Sequence, residues 1–317
     1  VRKRKLGSIG TYVTALGLGT LTWGRDTTPD DAEQQLDMFL DANGSVIDSS
    51  PYFGGGEAEH VLGELLQSHV DRDTLHIVSR AGLGPDGVDA SRSSLERSVT
   101  ASLATLGTDW IDTLILAAPD QSTHYEETAD ALAALTHRGL IHGVGLGNCP
   151  GWYAGIMSTL LAERGVRLSA LHVEYNLLQR GIERELIPFA EHAQAGIMVW
   201  SALGRGVLAG RYRHSIPPDS RAASPHFASF VEPYLGDKSR QIVEAIATAA
   251  DGLGVDIATV SLAWVLSRPH VSVAFIGPRT AAQLNAILAD LDEEMPDAVL
   301  EALTDVTSQT WGYPERF

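Results

Sequence analysis

A short apolar run, Val46-Ile47, ends on the carboxylate of Asp48, and the phenol of Tyr52 follows in Ser49-Ser50-Pro51-Tyr52-Phe53-Gly54. If the run is a strand and the next segment its loop, both groups sit at the strand's C-terminal end. A tyrosine placed there can give a proton to a reacting oxygen. Two later apolar runs, Ile77-Val78-Ser79 and Leu114-Ile115-Leu116, end on Arg80 and Ala117. Arginine brings a permanent positive charge to such a mouth, and alanine brings no donor at all.

The elements that must hold these residues are short β-branched runs alternating with helical periodicities. The pattern predicts strands over Thr14–Gly19, Ser45–Asp48, Thr74–Arg80, Ile111–Ala117, Ile141–Gly145, Leu168–Glu174, Gly196–Ser201 and Val271–Ile276. Helices are predicted over Asp30–Ala42, Glu57–His69, Ser91–Leu106, Tyr125–His137, Gly151–Arg164, Ile182–Gln194, Asp237–Gly252, Asp256–Ser267 and Ala281–Asp290. Nearly continuous apolar strands, each with a helical partner, read as buried parallel strands. Eight such units predict an α/β fold, a closed (β/α)8 barrel formed by a single domain over residues 1–317. An open doubly wound sheet would need a glycine fingerprint, which neither Gly17-Leu18-Gly19 nor Gly143-Val144-Gly145-Leu146-Gly147 completes. Arg2–Val13 is expected to form a β-hairpin plugging the barrel's bottom. The long Ala202–Gly236 segment after the seventh strand, rich in proline, serine and arginine, is expected to be a lid. Trp311, Tyr313 and Phe317 are expected over the substrate mouth, with packing on an outer helix the alternative.

Composition narrows the function. With 44% hydrophobic and 20% charged residues, the chain has the balance of a globular enzyme. Its net charge of −17 argues against a nucleic-acid partner, because phosphate backbones need a basic surface. The single cysteine, Cys149, allows no internal disulfide and fits a reducing, cytoplasmic location. The basic start, Arg2-Lys3-Arg4-Lys5, is followed by a stretch too broken by polar residues and glycine for a signal peptide, so strands are expected. No segment reaches the roughly 18 apolar residues that a membrane span needs. No histidine pair has metal-ligand spacing, so no metal is expected. A homo-oligomer is compatible with the sequence, though nothing in it indicates one.

The chain resembles the aldo-keto reductase superfamily, on the side that includes bacterial reductases and potassium-channel β subunits. The resemblance runs end to end. Its carriers are Leu16-Gly17-Leu18-Gly19-Thr20 with Trp23-Gly24, the Asp48…Tyr52 segment with Gly56-Glu57, and Leu106-Gly107-Thr108-Asp109-Trp110-Ile111-Asp112. They continue with Gly145-Leu146-Gly147-Asn148, Glu174-Tyr175-Asn176, Trp200-Ser201-Ala202-Leu203-Gly204, Gly210-Arg211-Tyr212, and Gly277-Pro278-Arg279…Gln283. The resemblance implies NADP(H) lying across the barrel's C-terminal face. Thr20 and Trp23 would line the nicotinamide end and substrate mouth, Asn148 would hold the carboxamide, and Trp200 would stack beneath the ring. Ser201, Leu203, Gly204, Arg205 and Gly206 would follow the pyrophosphate, helped by Arg211. Gly277, Arg279 and Gln283 would meet the adenosine 2′-phosphate and adenosine.

The implied chemistry uses four residues: a tyrosine acid, a lysine that lowers its pKa, an aspartate that pairs the lysine, and a histidine that orients the carbonyl. Tyr52 and Asp48 match. Arg80 stands in the lysine's place and Ala117 in the histidine's. Arginine keeps the charge but yields no proton near neutrality, and the lost donor is typically worth about 10²–10⁴ in rate. Gly147 and His172 stand where a serine and a glutamine are expected, and Ala286-Ile287 where a Glu-Asn pair is. His172 has two readings, as a replacement donor to the substrate or as a neutral partner of the carboxamide. The expected activity is NADP(H)-dependent hydride transfer to a carbonyl, imine or enone of a small metabolite, with Tyr52, Asp48 and Arg80 at a remodelled acid centre. The alternatives are a cofactor-binding regulatory or partner protein with vestigial catalysis, and a non-redox enzyme in which Tyr52 only moves protons.

Overall fold

The computed structural model describes residues 2–7, 10–68, 70–84, 87–218, 220–291 and 293–313, which leaves His69 and Phe317 outside the described residues. Two short strands come first, β1 (Lys3–Lys5) and β2 (Tyr12–Thr14), paired antiparallel. Then follow β3 (Leu16–Gly19), α1 (Pro29–Asp41), β4 (Val46–Asp48), α2 (Glu57–Ser68) and β5 (His76–Ala81). A tiny hairpin of β6 (Leu83–Gly84) and β7 (Gly87–Val88) precedes α3 (Arg92–Leu106), β8 (Ile111–Leu116), α4 (Tyr125–His137) and β9 (Ile141–Gly147). The chain continues through α5 (Gly151–Glu163), β10 (Leu168–Glu174), α6 (Leu186–Ala193) and β11 (Gly196–Trp200). The long 202–236 segment contains α7 (Ala228–Val231), and after it come α8 (Asp237–Leu253), α9 (Ile257–Ser267), β12 (Val271–Ile276), α10 (Ala281–Ala289) and α11 (Asp297–Val306).

The eight strands β3, β4, β5, β8, β9, β10, β11 and β12 are all parallel, and β12 pairs with β3 to close the barrel. The predicted (β/α)8 barrel is therefore the fold. Inside it, every second residue of each strand points inward. Val46, Val78, Ile115, Ala170, Met198, Val273 and Phe275 form one buried interior cluster with Leu6 and Val13 of the N-terminal hairpin. That hairpin closes the bottom as expected. Glycine makes room where strands crowd: a Cβ on Gly17 would run into the Phe275 ring, and one on Gly145 into Ile115. Around the barrel the helices pack as closely. A Cβ on Gly63 of α2 would meet the Thr105 carbonyl oxygen of α3.

The helix starts follow local chemistry. Thr28 caps α1 by accepting the Asp31 N–H at 3.1 Å, with Pro29 in the first turn where its missing N–H is harmless. Ser91 caps α3, and Gly107 ends it in the left-handed conformation. Three expectations shift. The first predicted strand divides at Ala15, because Tyr12–Thr14 belongs to the hairpin. The sixth helix begins at Leu186, not Ile182, since Pro188 has no N–H for the residue-184 carbonyl. A short 3₁₀ turn, Gly181–Glu183, fills the gap. Helix α11, absent from the sequence reading, is tied down by Arg180, whose guanidinium bonds the Thr304 carbonyl and the Thr307 hydroxyl. Among the described residues no single helix is long and apolar enough to cross a membrane.

Candidate active site

Two residues above the apolar interior cluster, the same inward register delivers Asp48, Arg80, Ala117, Gly147, His172 and Trp200 to the barrel's C-terminal mouth. Asp48 is 4% exposed. Arg80 Nη2 lies 2.9 Å from its Oδ2 and 2.8 Å from its Oδ1, while Nη1 donates to the Ser49 carbonyl at 2.7 Å. Burial pushes the Asp48 carboxyl pKa up, and the Arg80 charge and hydrogen bond oppose that rise. The guanidinium sits over the Phe53 ring at 4.8 Å, which gives its face a favourable π cover.

His172 completes this cluster. Its Nε2 is 3.0 Å from Arg80 Nη2 and the side chain is wholly enclosed. Burial first, and the Arg80 charge second, hold its pKa well below the ordinary histidine value, so the ring is neutral. A guanidinium has no acceptor, so Nε2 must take the bond. That nitrogen therefore faces the cation as an acceptor and is not presented as a donor.

The hydroxyl of Tyr52 is held elsewhere. It donates to the Leu83 carbonyl at 2.6 Å and accepts the Leu83 N–H at 3.2 Å, both from β6. The structure thus brings Asp48 and Arg80 together but engages Tyr52 with the loop after β5. Thr20, fully buried, has its hydroxyl 3.1 Å from both the Asp48 carbonyl and Ser49 Oγ, bracing the end of β4. Trp23 requires a correction. It is fully buried, and its indole N–H donates to Gln35 of α1 at 3.0 Å, so it supports the mouth from behind and does not line it. Ala117 offers its carbonyl to Asn148 Nδ2 at 3.1 Å. Asn148 is exposed with a left-handed backbone, φ 48°. A Cβ on Gly147 would fall 2.9 Å from the Ala117 carbonyl oxygen, which explains glycine at that position.

Trp200, at the end of β11, keeps part of its ring accessible. Its Nε1 is buried and has no hydrogen-bond partner among the described residues. Phe230 of the 202–236 segment lies nearly parallel to it, centroids 6.4 Å apart. Beyond Trp200, Ser201 has positive φ and leads to a tight 3₁₀ turn, Gly204–Ala209, in which Gly204, Arg205 and Gly206 also have positive φ. Leu203 caps this turn. Arg205 is expected only as part of a loop following a pyrophosphate; its side chain pairs with Glu174 through Nε and Nη2 at 3.1 and 2.7 Å. It also stacks on Phe230 at 3.8 Å and Tyr234 at 4.7 Å. This fixed bidentate carboxylate satisfies the guanidinium before any ligand arrives, which leaves the backbone of the turn to meet one.

A cationic corner forms where β12 ends. Arg221, from the long 202–236 segment, donates to the Gly277 carbonyl at 2.7 Å. Its pKa is lowered chiefly by burial, with Arg279 and Arg211 pushing the same way and Tyr212 and Asp26 opposing. The sequence reading missed Arg221, because one arginine in an aperiodic loop carries no signal. Gln283 Oε1 accepts the Arg279 N–H at 2.8 Å, and the Thr27 hydroxyl donates to the Arg279 carbonyl at 3.0 Å. Three arginines gathered this closely create a field that favours a highly charged anion.

Comparison with known proteins agrees with this architecture. A model of the aldo/keto reductase family matches residues 15–307. A probable voltage-gated potassium channel subunit beta of Arabidopsis thaliana is 28% identical, over 99% of this chain and 99% of its own length. Norsolorinic acid reductase stcV of Emericella nidulans is 28% identical over 97% of this chain and 82% of its own. Uncharacterized oxidoreductase YrpG of Bacillus subtilis is 27% identical over 95% and 94%. A family match across nearly all of the barrel, on a mouth that carries Asp48 and Tyr52 at the ends of the expected elements, settles the assignment: the chain belongs to the aldo/keto reductase family.

Proposed function

We propose that this chain is an NADP(H)-dependent oxidoreductase acting on a carbonyl, imine or enone of a small metabolite through a remodelled acid centre. The observation that carries the reading is the arginine corner. Arg221 is half-buried and bonded to the Gly277 carbonyl despite the charges of Arg279 and Arg211, an arrangement suited to the 2′-phosphate that separates NADPH from NADH. Trp200 fits the other end, offering a partly exposed aromatic side chain at the barrel mouth. When bound, NADPH would supply the hydride. The remaining work falls to the chain. Arg80, fixed by Asp48 and Ser49, places positive charge where an oxyanion or enolate develops. Tyr52 supplies the proton once its hydroxyl exchanges the Leu83 main chain for a substrate oxygen. The absence of a donor at Ala117 favours acceptors that need less polarisation than a simple ketone. A cytosolic setting belongs to the same reading.

The second reading is a cofactor-binding regulator. It is favoured by the Tyr52–Leu83 contact, which keeps the Tyr52 phenol from a substrate. Fluorescence titration of the purified protein with NADPH and NADH tests the first element common to both. Tighter binding of NADPH is expected. Equal affinity, or no binding, would remove the reading.

A further inference from the structure

The cation at this mouth has more donors than a single carboxylate can use. A guanidinium carries five N–H groups in a fixed plane, and a buried one left unsatisfied is destabilising. Asp48 takes one from Nη2 and the Ser49 carbonyl takes one from Nη1. The second Nη2 hydrogen points at His172 Nε2, 3.0 Å away. His172 sits on β10, three strands round the barrel from β5, so two acceptors come from the end of β4 and the third from another side of the mouth. Phe275, centroid 5.6 Å from the imidazole, fixes that ring from the layer below. Phe53 covers the guanidinium at 4.8 Å.

We infer that His172 is a positioning residue for Arg80: its Nε2 takes the N–H that Asp48 leaves over and so fixes the plane of the cation at the mouth. Without that acceptor, the guanidinium gains by turning to meet Asp48 with both of its ends. It then releases the Ser49 carbonyl and moves its charge away from the reacting oxygen. His172 and Asp48 are themselves 3.8 Å apart at Nε2 and Oδ1. The arginine therefore bridges them, and the imidazole works as a neutral base that is never called on to exchange a proton. Glutamine could take the same bond through its amide oxygen, whereas leucine could not. The bond stands independently of any activity; only its effect on turnover rests on the redox reading above.

Nitrogen NMR on cofactor-free protein labelled at histidine tests the bond directly. His172 should show a protonated Nδ1 and an unprotonated Nε2, unchanged from pH 5.5 to 8. Arg80→Lys, which keeps the charge but alters the donor geometry, should displace the Nε2 resonance. A protonated Nε2, or a resonance indifferent to Arg80→Lys, would overturn the inference. The second arm uses NADPH with 4-nitrobenzaldehyde as probe. His172→Leu should lower kcat about tenfold, the equivalent of one charge-assisted hydrogen bond, with NADPH affinity unchanged. His172→Gln should stay within about twofold of the parent, since it restores an acceptor. Equal losses in both variants, or a loss carried by NADPH affinity, would contradict a positioning role. A parent protein with the expected NMR pattern but no turnover would sink the redox reading and leave the inference standing.

Discussion

The Tyr52 hydroxyl is bonded to both main-chain groups of Leu83, reaching the carbonyl at 2.6 Å and the N–H at 3.2 Å. One phenol thereby ties the loop after β4 to the small hairpin after β5. Its removal should show twice. Tyr52→Phe leaves Leu83 without these partners and should cost about 1–2 kcal/mol, read from urea denaturation. The same variant should lose about 10²–10⁴ in turnover of any accepted substrate, the typical cost of removing one positioned acid. Undiminished turnover would show that the proton comes from elsewhere.

Arg80 is the counter-charge of a carboxylate that is nearly sealed from water. Arg80→Met should destabilise the fold by about 3–5 kcal/mol at neutral pH, since it strands a buried charge. Adding Asp48→Asn should recover much of that loss, whereas Arg80→Lys should cost less than Arg80→Met. Urea midpoints of the four proteins check this. Equal stability of parent and Arg80→Met would mean that Asp48 is already protonated.

Arg221→Met should weaken NADPH binding about tenfold to a hundredfold, the range for one hydrogen bond to a charged group. NADH binding should change much less, because the corner has no 2′-phosphate to meet. Paired titrations of parent and variant make the comparison. Equal losses for the two cofactors would place Arg221 away from the 2′-phosphate.

Acid should destabilise the protein through buried histidine. His76, bonded to the Thr113 hydroxyl at 2.9 Å, has its pKa pushed down to about 4, chiefly by burial. Its folded pKa lies below its unfolded value, so the unfolded chain takes the proton first as pH falls. The stability is fully present above about pH 6.5 and is lost progressively toward pH 4, about 3 kcal/mol in all. His172 acts in the same direction. Asp48 and Glu59, whose pKa values are raised by burial, act in the opposite one. His76→Gln keeps a partner for Thr113 and should flatten the slope between pH 6.5 and 4. An unchanged slope would remove His76 from the explanation.

What the sequence made legible follows from what is periodic. Barrel strands are buried on both faces, so they read as apolar runs, and the inward register then places Asp48, Arg80, Ala117, His172 and Trp200 in one layer. Side-chain direction outside the strands is not periodic. Trp23 lies in a loop, and nothing local shows that Gln35, on a helix, takes its indole N–H. Arg205 was read from its place in the turn, but its direction is set by Glu174 from a neighbouring strand end. Arg221 and the Leu83 contact arise where loops meet across the mouth, and such contacts leave no trace in spacing. Pro188 is legible in the sequence, and its missing N–H fits a helix that starts at Leu186.

The central claim is that this barrel moves hydride and does not merely hold a cofactor. The most direct measurement uses NADPH deuterated at C4 on one face at a time, with 4-nitrobenzaldehyde as acceptor and the alcohol analysed by mass. Deuterium is expected from one face only, since in the proposed complex Trp200 would cover the other side of the ring. Tight NADPH binding with no label transferred from either face, to this or any imine or enone offered, would contradict it.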